Sequence, residues 1–206
     1  MNPELQHLTD EIRRLQAELR ERLHEQESRA LYTLHGRRIA FEDGIREAHR
    51  QVRMNTLRWL AASSWRHLLS APFIYSMIVP FAFLDLMLWM YQAVCFRLYG
   101  IPRVKRGDYL VVDRHLLGYL NPLEKLNCLY CSYANGLAAY AREITARTEQ
   151  YWCPIKHARR VAAPHDYYDR FMPYGDADNL RENWENLREG IRQEGMPRKA
   201  GEAPRD

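Results

Sequence analysis

The chain lacks the short motifs that mark the commonest enzyme chemistries. It has no Walker loop, no dinucleotide fingerprint, no H-E-x-x-H and no G-x-S-x-G, which argues against nucleotide enzymes and hydrolases of the common types. It shows no internal repeat, RNA-binding signature or helix-turn-helix pattern, so nucleic acid is the weaker candidate partner. The N-terminus, MNPELQHLTDEIRRLQ, alternates acidic and basic residues around no apolar core. It does not read as a signal peptide, and the soluble parts are expected in a reducing cytoplasm. Cysteine is scarce, with four in 206 residues. In that compartment they are expected as metal ligands, redox-active thiols or small buried residues rather than structural disulfides.

The apolar residues are concentrated rather than spread. Mean hydropathy is negative, -0.54, yet Leu68–Phe96, LLSAPFIYSMIVPFAFLDLMLWMYQAVCF, carries Asp85 as its single formal charge. A helix needs roughly 20 apolar residues to cross the hydrocarbon core, so this run reads as one membrane helix. Pro80 removes a backbone donor and is expected to kink or break it. Asp85 costs roughly 2.5–3.5 kcal/mol in the bilayer unless neutral, partnered or hydrated. Arg58 and Arg66 before the run match Arg97, Arg103, Lys105 and Arg106 after it, so the flanks give no positive-inside vote. A re-entrant hairpin with Pro80 at its tip is the alternative to a single span. The net charge of +4 and the tryptophans Trp59 and Trp65 suit a headgroup zone, making the lipid bilayer the expected partner.

Upstream, Leu5, Leu8, Ile12, Leu15 and Leu19 repeat at spacings of three and four. That pattern predicts a long helix over residues 3–30 with coiled-coil character and a route to self-association. The helical pattern continues from Ser28 to His67, softly interrupted at Gly36 and Gly44. Downstream, Ile101–Asp113 reads as a minor β-hairpin. Asn121-Pro122 with Glu124 opens a helix that is expected to stop at Asn135-Gly136, with a second helix over Leu137–Gln150. Asp176 or Asp178 is expected to cap a last helix, Asn179–Arg192, with Leu180, Trp184, Leu187 and Ile191 on one face.

The candidate site lies in Asn127–Arg160. Cys128 and Cys131 form C-x2-C, and Cys153 with His157 forms C-x3-H after a gap of 21 residues. Two short-spaced pairs of Cys and His suit one tetrahedral structural zinc; iron or an iron–sulfur cluster is the alternative. Two other readings stay open: redox chemistry at C-x-x-C on a helix, or small thiols buried between helices. The metal site has a geometric difficulty, because a full helix over Leu137–Gln150 carries Cys153 away from the first pair unless the following loop folds back. His165, Asp166 and Asp169 are a lesser polar group.

The blocks EKLNCLYCSYANG at Glu124–Gly136 and ARTEQYWCPIKHARR at Ala146–Arg160 resemble a family of uncharacterised bacterial inner-membrane proteins with a CxxC…CPxKH block. The likeness covers the middle third to half of the chain. It implies a bacterial inner-membrane location and carries no activity or catalytic residue across.

The sequence therefore predicts a mainly α protein. Residues 1–67 form an N-terminal helical or coiled-coil region, 68–99 the membrane segment, 100–194 a small helical Cys/His-bearing domain, and 195–206 a disordered tail. The expected role is a membrane-anchored, metal-binding scaffold or adaptor. The alternative is a membrane-bound redox or metal-dependent enzyme acting on a lipid or quinone.

Overall fold

A computed structural model of the chain describes residues 3–31, 33–35, 38–40 and 43–194. The protein is mainly helical and divides into two compact units. The first comprises Met1–Ala62 with Asp113–Leu126, and the second Ser63–Val112 with Asn127–Asp206. The apolar run and the cysteine-bearing region thus share one unit instead of forming successive domains. Residues 195–206, expected as a tail, lie outside the described residues, as do Gly36 and Phe41.

In the first unit, helix α1 (Pro3–Leu31) keeps Leu8, Ile12, Leu15, Leu19 and Leu23 on its surface. The i,i+4 pair Glu18–Arg22 meets at 3.3 Å on the same helix. The expected continuous helix to His67 does not form. Two short antiparallel strands, β1 (Thr33–His35) and β2 (Arg38–Ala40), intervene, with Leu34 opposite Ile39. Helices α2 (Asp43–Val52) and α3 (Thr56–Ala62) follow. Asn55 opens α3, its Oδ1 accepting from the Leu57 amide at 3.1 Å.

The second unit is built on a rod of 35 residues, Trp65–Tyr99. It comprises α4 (Trp65–Ser76), α5 (Ile78–Tyr91), one wide π turn at Gln92–Phe96, and α6 (Arg97–Tyr99). The helical pattern lapses only at Met77. Pro80 has no amide to give the Ser76 carbonyl four residues back, and the ladder resumes with Phe81 N–H to Met77 O at 3.2 Å. The chain does not turn back at Pro80, so the re-entrant hairpin is not formed. Gly100, at φ 72°, ends the rod, and the Ile101 amide reaches the Phe96 carbonyl at 2.9 Å. That is a Schellman stop, which needs the left-handed conformation glycine adopts freely.

Helix α7 (Pro122–Trp152) starts as its sequence predicts. Asn121 Oδ1 accepts from the Leu123 and Glu124 amides at 3.0 Å each, and Glu124 Oε2 accepts from the Asn121 amide at 2.8 Å. It does not stop at Asn135-Gly136. Gly136 is buried inside the helix, and a Cβ there would sit 2.7 Å from the Tyr109 carbonyl oxygen and 3.0 Å from Leu110 Cα. The glycine makes room for a neighbouring backbone instead of ending the helix.

That neighbour is the connection from Ile101, which contains no hairpin. Arg106–Asp108 makes a 3-10 turn, and Tyr109–Val112 pairs with no strand. Helix α7 runs parallel to the rod: Tyr130 packs on Tyr75, Tyr133 bonds Asp85, Tyr140 bonds Gln92 and Tyr151 stacks on Tyr99 at 5.0 Å. Helix α8 (Leu180–Gln193) crosses the shared C-terminal end. Its expected aspartate cap is absent. Asn179 precedes the helix in a left-handed conformation, while Asp176 Oδ1 accepts from the Asp178 amide. The core gathers Leu88, Phe96, Leu137, Tyr140, Ile144, Phe171 and Ile191.

Replacing Gly136 with alanine should lower stability although alanine is the better helix former by about 1 kcal/mol. Overpacking against a backbone costs about 1–3 kcal/mol, and the midpoint of thermal unfolding of the purified full chain checks the sign.

Candidate functional site

The rod Trp65–Tyr99 is apolar and open. Of its most apolar window of 18 residues only 6% is buried. Between His67 and Asp85 there is no charged residue, and only Ala71, Tyr75 and Phe81 are partly covered. Phe73 is 74% exposed and Phe83 63%. Exposed apolar area of this extent marks a surface that meets something other than water. By length and composition the helix can cross a membrane.

From Asp85 onward one face of the rod is covered. Phe81, Asp85, Leu88, Gln92, Phe96 and Tyr99 recur at spacings of three and four, and their side packs on α7 and the connection. Two polar side chains on this face hold the connection down. Asp85 accepts a two-pronged grip from Arg106, Nε to Oδ1 at 3.1 Å and Nη2 to Oδ2 at 2.7 Å, and Tyr133 donates to Oδ2 at 3.1 Å. The parallel fork is the geometry in which arginine binds carboxylate best, and it supplies the partner that a carboxylate in an apolar run requires. Burial first, and then the bond to Asp85, hold the Tyr133 hydroxyl above its ordinary pKa. The bond to Asp85 likewise strengthens the Arg106 charge.

Gln92, fully buried, is the second staple. Its Oε1 accepts from the Val104 amide at 2.8 Å and its Nε2 donates to Tyr140 Oη at 2.5 Å. Sequence reasoning missed Gln92. The available signal was a lone amide in an apolar run, with the periodicity that puts it in line with Asp85.

A second polar group lies on α7 and the loop before α8. Glu143 Oε1 accepts from Arg147 Nε and from Tyr167 Oη, both at 2.8 Å, and Tyr167 also reaches Glu194 at 3.3 Å. Arg147 Nη1 donates to the Pro102 carbonyl at 2.9 Å. His165 Nδ1 accepts from the Tyr167 amide, so Nε2 carries the proton toward Glu149 at 2.9 Å. Tyr167 and Glu194 were not singled out by the sequence, because Tyr167 adjoins only His165 along the chain and lies 24 residues from Glu143 and 27 from Glu194. Each member here bonds a structural neighbour, and the group ties loop, α7 and α8 together.

The predicted metal ligands do not converge. Cys128 and Cys131 share one face of α7, while Cys153 follows its last residue, Trp152, and its amide continues the ladder to Glu149 at 2.7 Å. At about 1.5 Å per residue, Cys153 lies about 33 Å along the axis from Cys131, whereas a zinc ion holds its sulfurs at about 2.3 Å. His157 is exposed, its ring stacked on Tyr168 with centroids 6.2 Å apart. Among the described residues no group of three or more His, Cys, Asp or Glu is placed to hold a metal. The loop after α7 does not fold back because it is engaged locally: the Met172 amide donates to Pro154 O and the Lys156 amide to Met172 O. All four cysteines are free, with Cys131 and Cys153 exposed and Cys95 and Cys128 half-buried.

Comparison with protein families, with curated proteins and with solved structures finds no match.

The Tyr167 hydroxyl gives this polar group a pH signature. Burial first, then its bond to Glu143, push its pKa well above the ordinary value, against the opposing pull of Arg147. Below about pH 10 a tyrosine is protonated whether folded or unfolded. Above it the unfolded chain loses the proton while folded Tyr167 keeps it, so stability is present below pH 10 and falls as pH rises beyond. Unfolding midpoints measured from pH 8 to 11 should drop at the alkaline end, and Tyr167→Phe should make that drop shallower.

Proposed function

We propose that the protein is a membrane-anchored scaffold or adaptor, with the exposed apolar stretch of Trp65–Leu84 as its anchor and helix α1 as its assembly element. The observation that carries the reading is the stretch itself, apolar on nearly every side and covered on little of it. Such a surface is stable in hydrocarbon and costly in water, at about 25 cal/mol for each Å² left exposed. Support for assembly comes from α1, whose Leu8, Ile12, Leu15, Leu19 and Leu23 leave an apolar seam open at coiled-coil spacing. The compartment we propose is a bacterial inner membrane, with the soluble parts in the cytoplasm. The resemblance carried by the cysteine blocks supports it. The reading does not route through a shared metal ion, because the donors lie too far apart.

Extraction of membranes at alkaline carbonate pH tests the anchor. Wild-type chain should stay in the pellet, while Val79→Lys with Phe83→Lys should shift most of it to the supernatant. Wild type leaving with the carbonate wash would sink the anchor. Light scattering in detergent tests assembly: Leu15→Glu with Leu19→Glu should reduce an oligomer to monomer, and a monomeric wild type at high concentration would remove the assembly role.

A further inference from the structure

We infer that the rod enters one leaflet from one side and does not cross the bilayer, so that the chain before Trp65 and the chain after Tyr99 lie on the same face of the membrane. The inference rests on the anchor reading and specifies how that anchor sits.

Exposed apolar residues follow the rod for nearly its full length. Leu69, Phe73, Phe83, Met90, Val94 and Leu98 lie along one side, and Leu98 is 75% exposed. At 1.5 Å per residue the ends of this stripe are about 44 Å apart, against a hydrocarbon core of roughly 30 Å. An upright helix leaves part of the stripe in water. A helix about 10 Å wide lying along a leaflet roughly 15 Å deep covers all of it.

The opposite side of the rod is the water side from Asp85 onward. Arg106, the Val104 amide and the Tyr133 and Tyr140 hydroxyls of α7 bond Asp85 and Gln92 there. Polar protein directly behind an apolar stripe is the profile of an in-plane helix.

The connection decides between the two arrangements. Because α7 runs parallel to the rod, the chain must travel back from the level of Tyr99 to that of Tyr75 before α7 can pair with it. Leu110 lies against Gly136, and Tyr75 donates to Asn127 Oδ1. The chain that joins these two contacts begins with exposed, non-helical Val111 and Val112. If Leu68–Leu84 crossed the hydrocarbon, this connection would cross it too. Irregular backbone survives at that depth only when protein encloses it or water lines it. One-sided insertion leaves it in water. It also accounts for the basic residues at both ends of the rod, since Arg66 at its start and Arg97, Arg103 and Lys105 at and beyond its end then meet the same layer of phosphates.

The test uses the wild-type full chain, tagged at both ends, in sealed bacterial membrane vesicles of either orientation treated with trypsin. Both tags should be lost from inverted vesicles and both kept in right-side-out ones. Loss of one tag in each orientation would overturn one-sided insertion while leaving the anchor standing. Recovery of the protein as a soluble dimer would place a second copy on the stripe and overturn both readings. A second measurement uses a membrane-impermeant maleimide on two single-thiol chains, one retaining only Cys153 and one carrying only Gln26→Cys. Labelling of both from the same face supports the inference, and labelling from opposite faces rejects it.

Discussion

Two long helices that run side by side in the same direction cannot be joined by a tight turn. The rod Trp65–Tyr99 and helix α7 are such a pair, and the connection must run back along them before α7 can begin. Most of the unusual features of the second unit answer that requirement. Gly136 gives the returning backbone space against α7. Asp85 and Gln92 hold it against the rod at Arg106 and Val104. Arg147 holds the Pro102 carbonyl from the other side. Parallel packing also places both negative helix ends together. Helix α8 lies across that end and sends Arg192 to the Tyr99 carbonyl at 3.0 Å and Arg188 to the Tyr151 carbonyl at 2.8 Å. Two cations thus meet two carbonyl ends, and Arg188 also lies 5.0 Å over the Tyr151 ring.

The same arrangement explains how a carboxylate stands in an apolar run. Asp85 points to the protein side of the rod, where its partner comes from the connection; its side chain is 16% exposed and that of Arg106 49%. The cost of the charge is offset by a forked ion pair and a tyrosine hydroxyl, and the pair fixes where the connection crosses. Its role is to set register more than to add stability, because half-exposed pairs are worth little on their own.

The cysteine stretch shows where spacing along the chain misleads. C-x2-C and C-x3-H are each good pairs of metal donors, and Asn135-Gly136 between them reads as a helix stop. A glycine in a helix has two explanations, a stop or a close approach, and the choice depends on what lies beside it. Here the neighbour is the Tyr109–Leu110 backbone, more than 20 residues away in sequence. Helix α7 therefore runs on, and its length separates the pairs. The hairpin expected at Ile101–Asp113 fails for a related reason. Its β-favouring Tyr109–Val112 finds no strand to pair with, and the segment takes its partners from helices on either side.

What the sequence determined by itself is what depends on neighbouring residues and on composition. The mainly helical class, the apolar rod and its lapse near Pro80, the cap at Asn121 with Glu124, and the face of α8 ending in buried Ile191 all follow from local periodicity, backbone donors and capping chemistry. What only the tertiary structure decided is what depends on contacts distant along the chain. Those are the parallel sense of the two helices, the meaning of Gly136, the partner of Asp85, the burial of Gln92, and the grouping of Tyr167 with Glu143 and Glu194. The physical reason is that a hydrogen bond within one turn is written in adjacent letters. A bond between side chains 21 or 48 residues apart exists only once packing has brought them together.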